Sequence, residues 1–204
     1  MHARWRSPPP ARSTPRRAAT ALRAALRAAL CAALVAAALC VAAPPAQAQA
    51  QQAQQAPAPL PQPEGKVLLV VSGAIGVANV GGKAMFDRAM LEALGTESFT
   101  TRTNWTDGAV RFSGPPLQAL MERLGVAGGV LMATAINDYM IEMPVADARA
   151  PGPILALEMD GAPMSVRDKG PIWIVYPYDA DPAWRTEEIY ARSVWQLDRL
   201  EIVD

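Results

Sequence analysis

The 204-residue chain carries 19 basic and 19 acidic residues, yet the signs are segregated: seven arginines (Arg4, Arg6, Arg12, Arg16, Arg17, Arg23, Arg27) precede Ala28, and the first acidic residue is Glu64. Without that basic segment 12 basic residues face 19 acidic ones, a formal charge of −7 that argues against a nucleic-acid partner. Both cysteines, Cys31 and Cys40, and the one histidine, His2, lie in the same N-terminal segment. The remainder therefore excludes disulfides, serine–histidine triads, cysteine nucleophiles and ordinary zinc sites.

In chain order, the basic region is followed by an uncharged Ala/Leu/Val run over residues 28–43, short for a membrane span, then by Pro44, Pro45 and cleavage candidates at Ala48 or Ala50. This pattern predicts a signal peptide over 1–50 and an exported, periplasmic bacterial protein with no membrane span once the leader is removed. Arg16-Arg17 opens a twin-arginine signal that Ala18 and Ala19 do not complete, so Sec and twin-arginine export both stay open. Leu30 and Leu39 precede the cysteines where a lipoprotein site needs a small residue, which argues against a lipid anchor. Residues 51–63 are rich in Ala, Gln and Pro, with Leu60 alone as a large apolar residue, and are expected to form a flexible tether. One domain without internal repeats is expected over 64–204.

Within it, "KVLLVVSG" (66–73) reads as a buried strand, and "KAMFDRAMLEALG" as a helix with Met85, Phe86, Ala89, Met90, Ala93 and Leu94 at helical spacing and Gly95 as its stop. "ESFTTRTNW" and "AVRFSG" read as strands around Thr106-Asp107-Gly108, and "PPLQALMERLG" as a helix aligning Leu117, Leu120, Met121 and Leu124. Strands follow in "GVLMATAI", "YMIEMP", "PILALEM", "PIWIVYP" and "SVWQLDRLEIV", with Asp160-Gly161 as a hairpin turn. A last helix is expected from a cap at Asp181, with Pro182 first, to about Ala191. The sum is an α+β domain of mixed sheets with short helices.

Three groups of side chains can carry chemistry. Arg167 and Lys169 flank Asp168 before Gly170-Pro171, a turn that either grips an anion or keeps a hydrophobic strand soluble. Asp138 with Glu142, and Asp179 with Asp181, are carboxylate pairs that read better as a turn and a helix cap than as an acid/base pair or a hard-cation site. The aromatic set Trp105, Trp173, Trp184, Trp195, Tyr139, Tyr176, Tyr178 and Tyr190 reads mainly as core, with a stacking pocket for a flat ligand as the alternative.

The segments "LLVVSGAIG", "FDRAMLEAL", "VRFSGPPLQALMERLG", "AINDYMIEMPVADA", "ILALEMDGAPM", "DKGPIWIVYP" and "RSVWQLDRLEI", in this order and spacing, resemble the sulfite-oxidase-like family of oxidoreductase molybdopterin-binding domains. The resemblance is to a small periplasmic branch that lacks the molybdenum-ligating cysteine. It implies the sulfite-oxidase-like fold, and a pterin cofactor held by polar and basic loops at the sheet ends. The family's cysteine lies four residues before the tryptophan matching Trp105, a position filled here by Thr101, and Thr103 offers no thiolate either. The arginine, asparagine and histidine that the family brings in before its first strand are absent. Arg192, Ser193 and Val194 match a cofactor-contacting segment, but the family's next lysine and tryptophan are replaced by Trp195 and Gln196.

The resemblance thus implies a molybdopterin-dependent oxidoreductase in which Arg102, Arg167, Lys169, Arg192 and Ser193 hold the pterin, with no protein ligand to the metal and no catalytic residue assigned. The alternative is a pseudoenzyme: a non-catalytic periplasmic module that binds a small anion or a partner, such as a membrane-bound sensor or redox protein.

Overall fold

The computed structural model describes residues 58–204. The leader expected at 1–50 and tether residues 51–57 lie outside the described residues. The remaining tether residues differ from expectation, because 59–63 pack on the domain. Leu60 is buried, Pro61 O accepts from Asn79 Nδ2 at 2.7 Å, and Pro59 O accepts from Arg123 Nη2 at 2.9 Å. A single apolar residue suffices here because side chains of the domain satisfy the backbone beside it.

Strand β1 (Leu69–Gly73) buries Leu69 and Val71 and leaves Val70 and Ser72 half-buried, so this run is covered on one face only. The helix expected from residue 83 starts later. Ala84–Phe86 forms β2, antiparallel to β1, and helix α1 (Arg88–Glu92) follows Asp87 as its cap. Met85 and Phe86 suit either period, and the Asp87 carboxylate decides between them. It accepts the amides of Met90 (2.9 Å), Gly65 (2.8 Å) and Glu64 (2.9 Å), capping α1 and tying down the N-terminal segment together.

These bonds, with that from Met90 the strongest, hold the Asp87 pKa below the usual carboxylate range against the opposing effect of burial. A depressed folded pKa stabilises the fold above the ordinary carboxylate value and ceases to do so as pH falls through the lower folded value. Asp87→Asn should therefore lower the melting temperature at neutral pH and flatten the acid limb of the stability profile. Thermal melts from neutral pH down through the carboxylate range check this; an unchanged acid limb would remove Asp87 as its source.

Strands β3 (Glu97–Arg102) and β4 (Ala109–Gly114) form a hairpin whose first strand ends before Trp105. Helix α2 (Leu117–Arg123) buries Leu117, Leu120 and Met121, as its spacing predicts. Strands β5 (Val130–Ala135) and β6 (Met140–Pro144) form a second hairpin. "PILALEM" divides at Leu157 into β7 (Ile154–Ala156) and β8 (Glu158–Met159). Strand β8 turns into β9 (Ala162–Pro163) through Asp160 and Gly161, both at positive φ (50° and 78°), as a tight hairpin requires.

After β10 (Trp173–Val175) the expected long helix is broken. Asp181 caps a 3-10 turn (Pro182–Trp184), and Thr186 caps a separate helix α3 (Glu187–Arg192). Arg185 leaves the helical region between them, bonding Tyr178 O through Nε and Asp179 Oδ1 through Nη2. Strand β11 (Leu197–Val203) closes the fold parallel to β1.

The five-stranded sheet runs β2-β1-β11-β5-β6, a four-stranded sheet runs β3-β4-β8-β9, and β7 pairs with β10. Every residue of β7 and β10 is buried, in keeping with their unbroken apolar runs. This is the α+β architecture of mixed sheets and short helices that the sequence predicts. No helix among the described residues is long and apolar enough to cross a membrane.

Candidate functional site

Trp105 stands in the loop joining β3 to β4. Thr103 Oγ1 accepts its amide at 3.0 Å and shares a 2.9 Å hydrogen bond with Thr106 Oγ1, which braces the loop. The Trp105 ring meets Trp195 (5.4 Å between centroids), Tyr190 (5.8 Å) and Trp173 (5.9 Å) edge to face, the arrangement that aligns ring edges with ring faces. Trp173 is fully buried and donates its indole N–H to Ser193 O at 3.2 Å.

Ser193 ends α3. Its hydroxyl donates to Ile189 O at 2.8 Å, leaving its oxygen to accept from Tyr178 Oη at 2.5 Å. Burial pushes the Tyr178 hydroxyl well above its ordinary pKa, only partly offset by the bond to Ser193, so it stays protonated as the donor.

These elements enclose a cavity of about 290 Å³ walled by Trp105, Asn137, Tyr139, Tyr190, Ser193 and Trp195, with Ala135, Ala191 and Val194 between them. Tyr139 enters from the β5–β6 hairpin. Its amide donates to Asn137 Oδ1 at 3.2 Å, and its hydroxyl lies 3.4 Å from Ala191 O. The lining includes no charged side chain. Aromatic walls with a few polar atoms suit a planar ligand held by stacking and edge contacts.

Of the five residues singled out from the sequence, only Ser193 lines this cavity. Arg192 is ion-paired, through Nη1 to Asp147 Oδ2 at 2.8 Å and through Nη2 to Glu188. Arg102 donates its amide to Asp179 Oδ2 at 2.8 Å, and its exposed guanidinium lies 3.8 Å from the same carboxylate. Asp179 also pairs with Arg185 at 2.9 Å while Asp181 caps its turn, so these two acids serve separate structural ends. Asp138 occupies the β5–β6 turn and pairs with Arg199 at 2.5 Å.

The turn that carries Arg167 and Lys169 is tied to the segment next to the cavity wall. Their 3-10 turn (Val166–Asp168) is closed by Ser165, whose hydroxyl donates to Asp168 Oδ2 at 2.6 Å and whose carbonyl accepts the amides of Asp168 and Gly170. Gln196, next to the wall residue Trp195, donates its amide to Lys169 O at 2.9 Å and its side-chain N–H to Val166 O at 2.7 Å. The Lys169 ammonium sits 5.7 Å from the centroid of the Trp173 ring.

Of the aromatic set, which reads from the sequence mainly as core with a stacking pocket as the alternative, Trp105, Tyr139, Tyr190 and Trp195 wall the cavity, whereas Asn137 carries no signal of its own in the sequence. No curated protein matches the chain. Residues 86–181, reaching from the end of β2 to the cap of the 3-10 turn at Pro182, match the family described as the oxidoreductase molybdopterin binding domain. With its mixed sheets and short helices, the chain is similar over residues 86–181 to the oxidoreductase molybdopterin-binding domain, in keeping with the resemblance read from its segments.

Proposed function

We propose that this domain is an exported, non-catalytic binding module on the molybdopterin-binding fold, with the aromatic cavity as its ligand site. The family match makes molybdopterin the first cofactor to test, but the residues present do not fit a protein-anchored molybdenum. The resemblance puts the anchoring thiolate at Thr101, which is 1% exposed, does not line the cavity, and accepts the Asp179 amide on its hydroxyl at 3.0 Å. A threonine hydroxyl is neither soft nor ionised near neutral pH. To meet a cofactor phosphate, Arg102 and Arg192 would have to leave Asp179 and Asp147. Among the described residues, no group of three or more His, Cys, Asp or Glu side chains could hold a metal ion.

The observation that carries the reading is the cavity itself: four aromatic rings converge on one space of about 290 Å³ without a charged side chain. The basic leader expected at 1–50 supports a periplasmic location, where the ligand or a membrane-bound partner would be met.

Protein matured in its native host and purified without the leader should contain far less than one equivalent of molybdenum and release no fluorescent pterin. Metal analysis and fluorescence after oxidative release check this. The family match favours a second reading, a molybdopterin-dependent oxidoreductase, which near-stoichiometric molybdenum would establish in place of the first. Planar heteroaromatic compounds should raise the melting temperature, since a ligand at a hundredfold its Kd stabilises the folded state by about 2.7 kcal/mol.

A further inference from the structure

Among the described residues five large hydrophobic side chains are exposed, Ile136, Tyr139, Met140, Val166 and Val203. One of them, Tyr139, lines the cavity, and the turns that carry Ile136 and Val166 adjoin it, whereas Met140 lies in a separate depression with Thr134 and Arg199. The amide of Ile136 donates to Gln196 O at 2.9 Å, and the Gln196 side chain donates to Val166 O, so the β5–β6 turn and the 3-10 turn are stitched together beside Trp195. Single exposed apolar residues are ordinary on a protein surface, but a group of them beside a cavity marks an interaction site.

The same turn carries Arg167 and Lys169, which have no carboxylate at ion-pairing distance among the described residues, whereas nearby acids are engaged: Asp138 by Arg199, Asp168 by Ser165, Glu188 by Arg192. Two cations and an apolar rim thus stand together on a domain whose formal charge is −7.

We infer that this mouth docks an acidic, aromatic-bearing segment of a partner protein, which places one ring in the cavity and its carboxylates against Arg167 and Lys169. The inference rests on the cavity being the ligand site and names its occupant. A free planar compound would fill the cavity and leave Ile136 and Val166 in water; an extended segment crossing the mouth covers them. The complementary charge adds on-rate and register.

The test uses the leaderless protein and a fluorescein-labelled peptide in which one phenylalanine is flanked on both sides by aspartates. Controls replace the aspartates by asparagine or the phenylalanine by serine, and naphthol serves as an uncharged probe of the cavity alone. The acidic peptide should bind at least about tenfold more tightly than either control and weaken steeply with salt. R167E combined with K169E should remove that advantage while naphthol affinity is unchanged. Both substituted side chains lie outside the cavity lining, and the salt series on the unsubstituted protein repeats the test without any variant. Naphthol binding with no preference for the acidic peptide would overturn the docking inference and leave the cavity as a small-ligand site. If neither naphthol nor peptide binds, the reading of the cavity as a ligand site falls with it.

Discussion

Trp173→Ala should destabilise the domain by about 3–5 kcal/mol, the range for removing a fully buried large aromatic side chain. Trp173 is 0% exposed and packs edge to face against Phe112 at 5.2 Å as well as against Trp105 and Trp195. Truncation leaves a hole behind two rings of the cavity wall, and the wall can relax only by moving the β3–β4 loop or the segment around Trp195. It also leaves Ser193 O without its indole donor. Trp173→Phe should recover most of the packing but not that hydrogen bond. Urea unfolding of the three proteins measures the series. A loss below about 1 kcal/mol for the alanine variant would mean that this ring does not anchor the aromatic cluster.

Arg192→Ala should cost about 2–3 kcal/mol, less than the 3–5 kcal/mol of a fully buried pair because both ionic partners keep some access to water. The side chains of Arg192 and Asp147 are 15% and 19% exposed, and the Tyr176 hydroxyl lies 3.5 Å from the same carboxylate. Removing the guanidinium leaves Asp147 facing a buried phenol whose own ionisation is pushed up, first by burial and then by that carboxylate. Asp147→Ala in the Arg192→Ala background should add little, because the pair acts as a unit and the single substitution has already broken it. A pterin-gripping Arg192 would behave otherwise: its substitution would leave the urea midpoint in place and abolish cofactor retention. A double-mutant cycle by urea unfolding, together with pterin content, separates these outcomes.

Much of the fold was legible because local signals agreed. Leu117, Leu120 and Met121 fall on one helical face behind a proline, and Asp160-Gly161 can take the positive φ values of a tight turn, so neither element needed distant help. Met85 and Phe86 fit a helix in the sequence because two apolar neighbours satisfy both periods, and pairing with β1 makes them strand. Residues 59–63 carry no local sign of being held, because their partners Asn79 and Arg123 lie 18 and 64 residues further along the chain.

The site divides in the same way. By itself the sequence determined the chemical inventory: after Cys40 no thiolate and no imidazole, an acidic balance, and a supply of rings that includes four tryptophans and four tyrosines. Those follow from composition, which folding cannot change. Only the tertiary structure decided which of these groups are free to act. Arg192 meets Asp147 from 45 residues away, and Thr101 receives the Asp179 amide from 78 away. Trp105, Tyr139, Tyr190 and Trp195 share one cavity although they come from two hairpins, a helix and the segment leading into β11. Whether a charge is engaged or available, and whether a ring is core or wall, depends on contacts between distant parts of the chain, and local spacing holds no record of them.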